Sequence, residues 1–216
     1  MQVMEKLENA STLTEQAHRS IKKFILAGGF NSDLRMTEDF FARQLGISKS
    51  PIREALNSLQ NEGLVRIEPR RGAFVPRYSR KEIADLYELR EALEVFAASI
   101  VSADSALAAD LMASVERTEH LLTAHDKAAY IDEDIAFHQA IVNGTGNVEL
   151  GRVHTNIQEK LWLCRCQTYQ LTSPDTPVAH RAIAEAIASG DRVAAATATR
   201  AHIRFVREAL MQAVQS

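Results

Sequence analysis

The stretch LGISKSPIREAL, Leu45 to Leu56, followed at once by a basic hairpin, restricts the fold of this chain more than any other segment. Ahead of it, Phe40, Phe41, Ala42 and Leu45 form a short helical stripe that Gly46 ends. Ser48 or Ser50 can cap a second helix that tolerates Pro51 in its first turn. That helix carries Ile52, Ala55, Leu56 and Leu59 on one face and stops near Gly63. Two short helices about a tight turn make a helix-turn-helix. Lys49, Ser50 and Arg53 lie opposite its apolar stripe, at the end such motifs push into the major groove. Next, Leu64–Glu68 and Ala73–Val75 read as strands around Pro69-Arg-Arg-Gly72, a turn with two arginines at its tip. The pattern predicts a winged helix-turn-helix, a fold suited to contacting double-stranded DNA.

Charge divides along the chain. Residues 1–78 hold 12 Lys+Arg against 9 Asp+Glu, whereas residues 79–216 hold 13 against 19, so a basic head precedes an acidic remainder. The basic excess is small. DNA affinity is therefore expected to depend on a few placed cations and on dimerisation. No apolar run approaches the ~18 residues of a membrane span, and the start of the chain lacks a charged-then-apolar leader. These features predict a cytoplasmic protein with no membrane partner. Cys164 and Cys166 are two apart on an expected helix, so they face different ways and read as reduced core or boundary residues.

The predicted domains are 1–78 and 79–216, joined by Pro76-Arg-Tyr-Ser79. A helix from Leu13 to Leu26, with Ala17, Ile21, Phe24 and Ile25 inward and Gly28-Gly29 as its stop, precedes the winged motif. Ser79 with Glu82 fits a capping box opening a long helix that turns Ile83, Leu86, Tyr87, Leu93, Phe96 and Ile100 inward. Breakers at Asp104-Ser105, His125-Asp126, Gly144–Gly146, Ser173-Pro174 and Gly190-Asp191 separate helices at 80–102, 105–124, 127–143, 147–170, 175–189 and 191–214. The expected fold class is mainly α: an N-terminal winged helix-turn-helix followed by an all-α antiparallel six-helix bundle.

Within the bundle, Asp134 and His138 are four apart and share a helical face, while His180 and His202 lie on two further helices. Three histidines and an aspartate from three helices can hold a divalent metal with positions left open. Imidazole with carboxylate suits Zn, Ni, Mn or Fe. Spacing alone leaves open the commoner arrangement, a set of buried, hydrogen-bonded histidines. His18, His120, His125 and His154 read as surface or boundary residues. A bound metal also raises the alternative of a hydrolase, with Asp132 or Glu133 as its base, but their positions on the helix point away from the Asp134 face. A regulator for which the ion is itself the signal is another alternative.

The segment LGISKSPIREALNSLQNEGLVRIEPRRGAFV resembles the DNA-binding domain of GntR-family transcriptional regulators. LYELREALE, DIAFHQAI, AHRAIAEAIASGD and RAHI resemble, in order, the C-terminal FCD-type domain of that family's FadR-like branch. Six bundle helices match its shorter, VanR-like subgroup. The resemblance implies a metal on Asp134, His138, His180 and His202, with Arg90 facing the same cavity as an effector ligand. Asn156 and Gln158 are further candidates for its wall, and equally for a solvated or interface position. It implies DNA contacts by Arg35, Ser48, Lys49, Ser50, Arg53, Arg71 and Gly72, with Arg43 and Lys22 reserved for phosphate contact or solvent. The chain departs from the family's usual Pro-Gly with Ser32-Asp33, and has Lys49 where arginine is common, a point charge without the bidentate fork. The function so implied is a homodimeric repressor of operator DNA that responds to a small organic acid and is not an enzyme. Trp162 suits either the cavity wall or the dimer interface.

Overall fold

The computed structural model describes residues 11–28, 35–102, 104–168 and 173–213, without the side chains of 166–168 and 213. Gly29, the Ser32-Asp33 turn and the Cys166 side chain lie outside the described residues. The chain divides into two compact units, residues 1–77 and 78–216.

The first unit begins with α1 (Leu13–Leu26), whose N-terminus is closed by a capping box between Thr12 and Glu15. Thr37 caps α2 (Glu38–Leu45) through its hydroxyl, and Gly46 ends it in the left-handed conformation at φ 67°. Ser48 precedes α3 (Lys49–Asn61) as its N-cap residue, although its side chain makes no capping bond. Ile52, Ala55, Leu56 and Leu59 are buried and form the face that holds α3 in place. Phe24 and Leu45, expected inside, remain partly exposed at the edge of that core.

Strands β1 (Arg66–Glu68) and β2 (Gly72–Phe74) pair antiparallel, with Ile67 opposite Ala73. Met36 adds an isolated bridge to Ala73, with N–H to O distances of 2.8 Å in both directions. That bridge fastens the wing to the segment leading into α2. Gly72 makes it possible. Its φ is +104°, and a Cβ there would lie 2.7 Å from the Met36 carbonyl oxygen.

The second unit is built from α4 (Arg80–Ile100), α5 (Ser105–Ala124), α6 (Lys127–Asn143), α7 (Val148–Thr168), α8 (Asp175–Ala188) and α9 (Arg192–Ala213). The expected Ser79–Glu82 capping box opens α4. Asp104 and Asp126 cap α5 and α6 through their carboxylates. Helix α4 packs along α9, and α6, α7 and α8 close around them.

Two apolar clusters form the core. One gathers Ala97, Val101, Leu111, Phe137, Ile141 and Ile183; the other gathers Ile83, Tyr87, Ile157, Leu161, Cys164 and Ile203. Along α4 and α9, a polar layer lies between them: Arg90 and Glu94 on α4, Thr199 and His202 on α9, all buried. The rotation of α4 differs from the expected one accordingly. Phe96 is 51% exposed and Ile100 is also exposed, while Arg90 and Glu94 point inward. Burying an Arg–Glu pair four apart needs further polar partners beyond its own attraction, and α7 supplies Gln158 to Glu94 at 3.0 Å. Among the described residues, no helix is long and apolar enough to cross a membrane.

Candidate functional site

In the first unit, the expected DNA contacts fall on two patches. Lys49, Ser50 and Arg53 are exposed at the start of α3, beside the exposed Ser48. Each cation there has a counter-charge at the start of α2. Arg53 grips Glu38 with two bonds of 2.8 Å, and Lys49 lies 2.6 Å from Asp39. The carboxyls of Glu38 and Asp39 are lowered, first by the hydrogen bonds from Arg53 and Lys49 respectively. Arg53 and Lys49 are therefore held on the surface by the two carboxylates of α2.

The wing is the second patch. Arg71 lies over the Phe74 ring, 5.7 Å from its centroid, and pairs with Glu68 at 2.5 Å. Arg35 crosses to the same hairpin and donates to the Arg70 carbonyl at 3.4 Å. The Met36–Ala73 bridge thus brings Arg35, Arg71 and Gly72 together. Lys22 is committed elsewhere, 3.0 Å from Glu62, which also takes His18 at 2.6 Å. Arg43 is exposed.

In the second unit, Asp134, His138, His180 and His202 are all buried, and one ligand atom from each lies within 4.8 Å of the others. The Nε2 atoms of His138 and His180 are 3.2 and 3.3 Å from Nε2 of His202. Asp134 Oδ1 is 3.5 Å from His180 Nε2. Three imidazole nitrogens facing one another leave lone pairs in opposition unless a proton or a cation sits among them. This donor set fits a divalent ion. Burial, then His138, lowers the His202 pKa to about 3. His180 is lowered by burial, then by His138 and His202. Both are thereby kept in the neutral form that binds metal.

The polar residues around these ligands hold them in place. Asp134 Oδ2 accepts from Arg165 Nη1 at 2.5 Å. Burial alone would raise the Asp134 carboxyl; Arg165, then His138 and His180, outweigh it and hold the group well below the usual range. His138 Nδ1 is 2.8 Å from Glu94 Oε2, a short contact whose N–H is not aligned on the oxygen. Burial likewise opposes ionisation of Glu94, and Arg90 followed by His138 reverses it. Phe137 stacks on the His180 ring at 4.0 Å and fixes its plane.

Arg90 is fully buried. Its Nε donates to Glu94 at 2.8 Å, while Nη1 and Nη2 have no hydrogen-bond partner among the described residues. Two unpartnered N–H-bearing nitrogens on a buried cation are costly, at about 1–3 kcal/mol each. They suit an anion.

Sequence reasoning missed three members of this layer. His154, expected at the surface, is 0% exposed and bridges Gln139 Oε1 at 2.9 Å and Glu94 Oε1 at 2.8 Å. Glu94 and Arg165 are buried charges that the sequence does not single out. Gln158 does reach the interior, donating to Glu94 at 3.0 Å, whereas Asn156 is half-buried. His120 and His125 are exposed, and His18 is half-buried. Trp162 is half-buried and donates to Asp132 at 3.2 Å. Glu133 is held by Arg117 and Ser114. Neither acid is among the residues that converge at the candidate metal site. The Cys164 thiol is buried, which pushes its pKa up to about 12.

A winged helix-turn-helix with exposed cations, followed by an all-α domain with a buried polar centre, defines a DNA-binding regulator. The chain belongs to the gntR family of bacterial regulatory proteins and carries an FCD domain. The family's model matches residues 13–75 and the FCD model residues 85–205. It is 31% identical over 211 residues to an HTH-type transcriptional regulator in an unstable DNA locus of Streptomyces ambofaciens, covering 92% of this chain and 85% of that one. It is 29% identical over 154 residues to the gluconate operon transcriptional repressor of Bacillus subtilis strain 168, covering 70% and 63%. Among solved structures, Escherichia coli McbR/YncC has the same fold, with a TM-score of 0.81 at 19% identity, covering 94% of this chain and 99% of that one. The family consists of transcriptional regulators and not of enzymes, so the chain is a DNA-binding transcriptional regulator of the GntR/FCD type.

Proposed function

We propose that this regulator is a cytoplasmic homodimeric repressor whose operator affinity is set by a small organic acid held at a divalent metal in the bundle. One observation carries the reading. Four buried ligand atoms converge within 4.8 Å, in the same polar layer as an arginine with two unpartnered terminal nitrogens. Asp134, His138, His180 and His202 would hold Zn, Ni, Mn or Fe, and the ion would supply open positions for carboxylate oxygens. Arg90 would take the same carboxylate by charge-assisted hydrogen bonds. A coupling of about 1–3 kcal/mol between this site and the DNA heads is enough for a several-fold to hundredfold change in operator affinity.

On the DNA side, Lys49, Ser50 and Arg53 read base edges with Ser48 on the backbone, and Arg35, Arg71 and Gly72 place the wing. The two-fold partner is proposed to cover the α4/α9 face. A groove of about 780 Å³ there is lined by Glu88, Glu91, Phe96, Arg200, Arg204 and Arg207 among others. Glu91 and Glu88 on α4 pair with Arg204 and Arg207 on α9 within the chain at 2.8 Å, so the exposed Phe96 beside them would carry an isologous contact.

The test is metal analysis of the purified protein beside a His138→Ala/His202→Ala double variant. About one divalent ion per chain, lost in the variant, supports the reading and opens a screen of small carboxylates against operator binding. No metal in either protein refutes it. An operator response that follows the metal alone, with no acid required, would make the ion the signal.

A further inference from the structure

Among the described residues, Glu94 is the carboxylate that touches both arms of the bundle site. It lies one helical turn beyond Arg90 and is 2% exposed. Its Oε1 accepts from Arg90 Nε at 2.8 Å and from Gln158 Nε2 at 3.0 Å, and lies 2.8 Å from His154 Nε2. Its Oε2 lies 2.8 Å from Nδ1 of the metal-ligand candidate His138. Three other polar side chains therefore surround the carboxylate that faces His138.

We propose that Glu94 is a positioning residue that ties the metal ligand His138 to the anion-binding Arg90. At 2.8 Å the charge of the carboxylate favours the tautomer with its proton on Nδ1, although the N–H is not aligned for a hydrogen bond, and that tautomer leaves Nε2 as the lone-pair atom toward His180 and His202. By taking only Nε of Arg90, it leaves Nη1 and Nη2 for a ligand. A shift of His138 on loading a metal then moves the oxygen it faces, and through the other oxygen it moves Arg90. Metal and anion affinities are linked by this one group, and the linkage is reciprocal. Arg90 and Glu94 are on one helix while His138, His154 and Gln158 come from α6 and α7, so any such movement also passes between helices. The inference rests on the metal reading above.

The experiment uses the full chain, stripped of metal and titrated with Co²⁺ in competition with a chelator, with and without acetate as a minimal carboxylate probe. Three readouts are followed: cobalt affinity, the visible ligand-field spectrum, and the ¹⁵N shifts of the His138 ring. Glu94→Gln keeps the shape and removes the charge. It is expected to weaken Co²⁺ about 10–100-fold, alter the spectrum, shift the His138 tautomer, and abolish any effect of acetate on cobalt affinity. Wild-type affinity, spectrum and tautomer in Glu94→Gln overturn the proposal.

Should that variant fail to fold, Gln158→Met removes one donor to Glu94 without touching either arm. It is expected to weaken Co²⁺ several-fold, and unchanged affinity overturns the proposal. If the wild-type chain itself binds no Co²⁺, the metal reading fails and this inference fails with it. Normal binding in the wild type and in Glu94→Gln sinks the inference alone.

Discussion

Gly72→Ala tests the reasoning about the wing most directly, because its cost can be worked from two separate contacts. At φ +104° a residue with a Cβ is strained, on the order of 1–3 kcal/mol. The added Cβ would also lie 2.7 Å from the Met36 carbonyl oxygen and 3.3 Å from the Arg35 side chain. The oxygen belongs to backbone and cannot swing aside, so β2 and the Met36 segment must separate. That weakens the two 2.8 Å bonds between Met36 and Ala73, worth about 0.5–1.5 kcal/mol each. The stiffer unfolded chain returns at most about 1 kcal/mol. The balance is a loss of about 2–4 kcal/mol, a large part of the stability of a small domain. Hydrogen exchange resolved by peptide reads it out. Protection should collapse across residues 35–37 and 66–75 while the bundle peptides stay as in the wild type. Operator affinity should fall, since Arg35 and Arg71 lose their shared support, and metal content should not change. Wild-type protection in the wing would refute the argument.

Three further outcomes are expected. Arg53→Ala should cost about 1–3 kcal/mol of operator affinity if the guanidinium reads a base, with metal content intact; equal loss on operator and random duplex would make it a phosphate contact instead. Asp39→Asn removes the counter-charge 2.6 Å from Lys49. It should raise affinity for random-sequence DNA several-fold at low salt, whereas Asp85→Asn, paired with Lys81 in the bundle, should not; equal effects would reduce the result to net charge. The third concerns acid. His202 is depressed to about 3 and His180 is depressed as well, whereas an unfolded histidine titrates near ~6.5. Between about pH 6.5 and about pH 3 the unfolded chain therefore binds protons that the folded chain excludes, so stability falls as pH falls. Metal-free protein should lose up to about 1.4 kcal/mol per pH unit for each histidine. Urea melts between about pH 7.5 and about pH 5.5 with no change in midpoint would contradict this.

Much of the architecture was legible because its signals are local. A helix end is decided by the few residues around it, so Ser79, Asp104 and Gly46 mark boundaries without reference to the rest of the chain. The apolar face of α3 was readable for the same reason, since a 3.6-residue period places Ile52, Ala55, Leu56 and Leu59 together wherever the helix packs. The four metal-ligand candidates were visible as three histidines and an aspartate on three expected helices, and resemblance singled them out; spacing could relate Asp134 to His138 but not to His180 or His202, which lie on other helices.

Beyond Arg90 and Gln158, which resemblance and helix placement had offered for the cavity, what lies around the ligands was decided by tertiary structure. The rotation of α4 is a compromise with α6, α7 and α9. It turns Glu94 in beside Arg90 and leaves Phe96 and Ile100 out, against an apolar pattern that put both of the latter inside. An Arg–Glu pair four apart is an ordinary surface pair in sequence, and only His138, His154 and Gln158 arriving from two other helices make its burial tolerable. His154 and Arg165 carry no local mark of burial, because their oxygen partners, Glu94 and Asp134, are distant in sequence. The sequence by itself determined the elements, most of their ends and the cations exposed at the start of α3, all set by short-range chemistry. Which charges share the interior depended on how the helices meet, because a buried charge is stable only once every partner is in place.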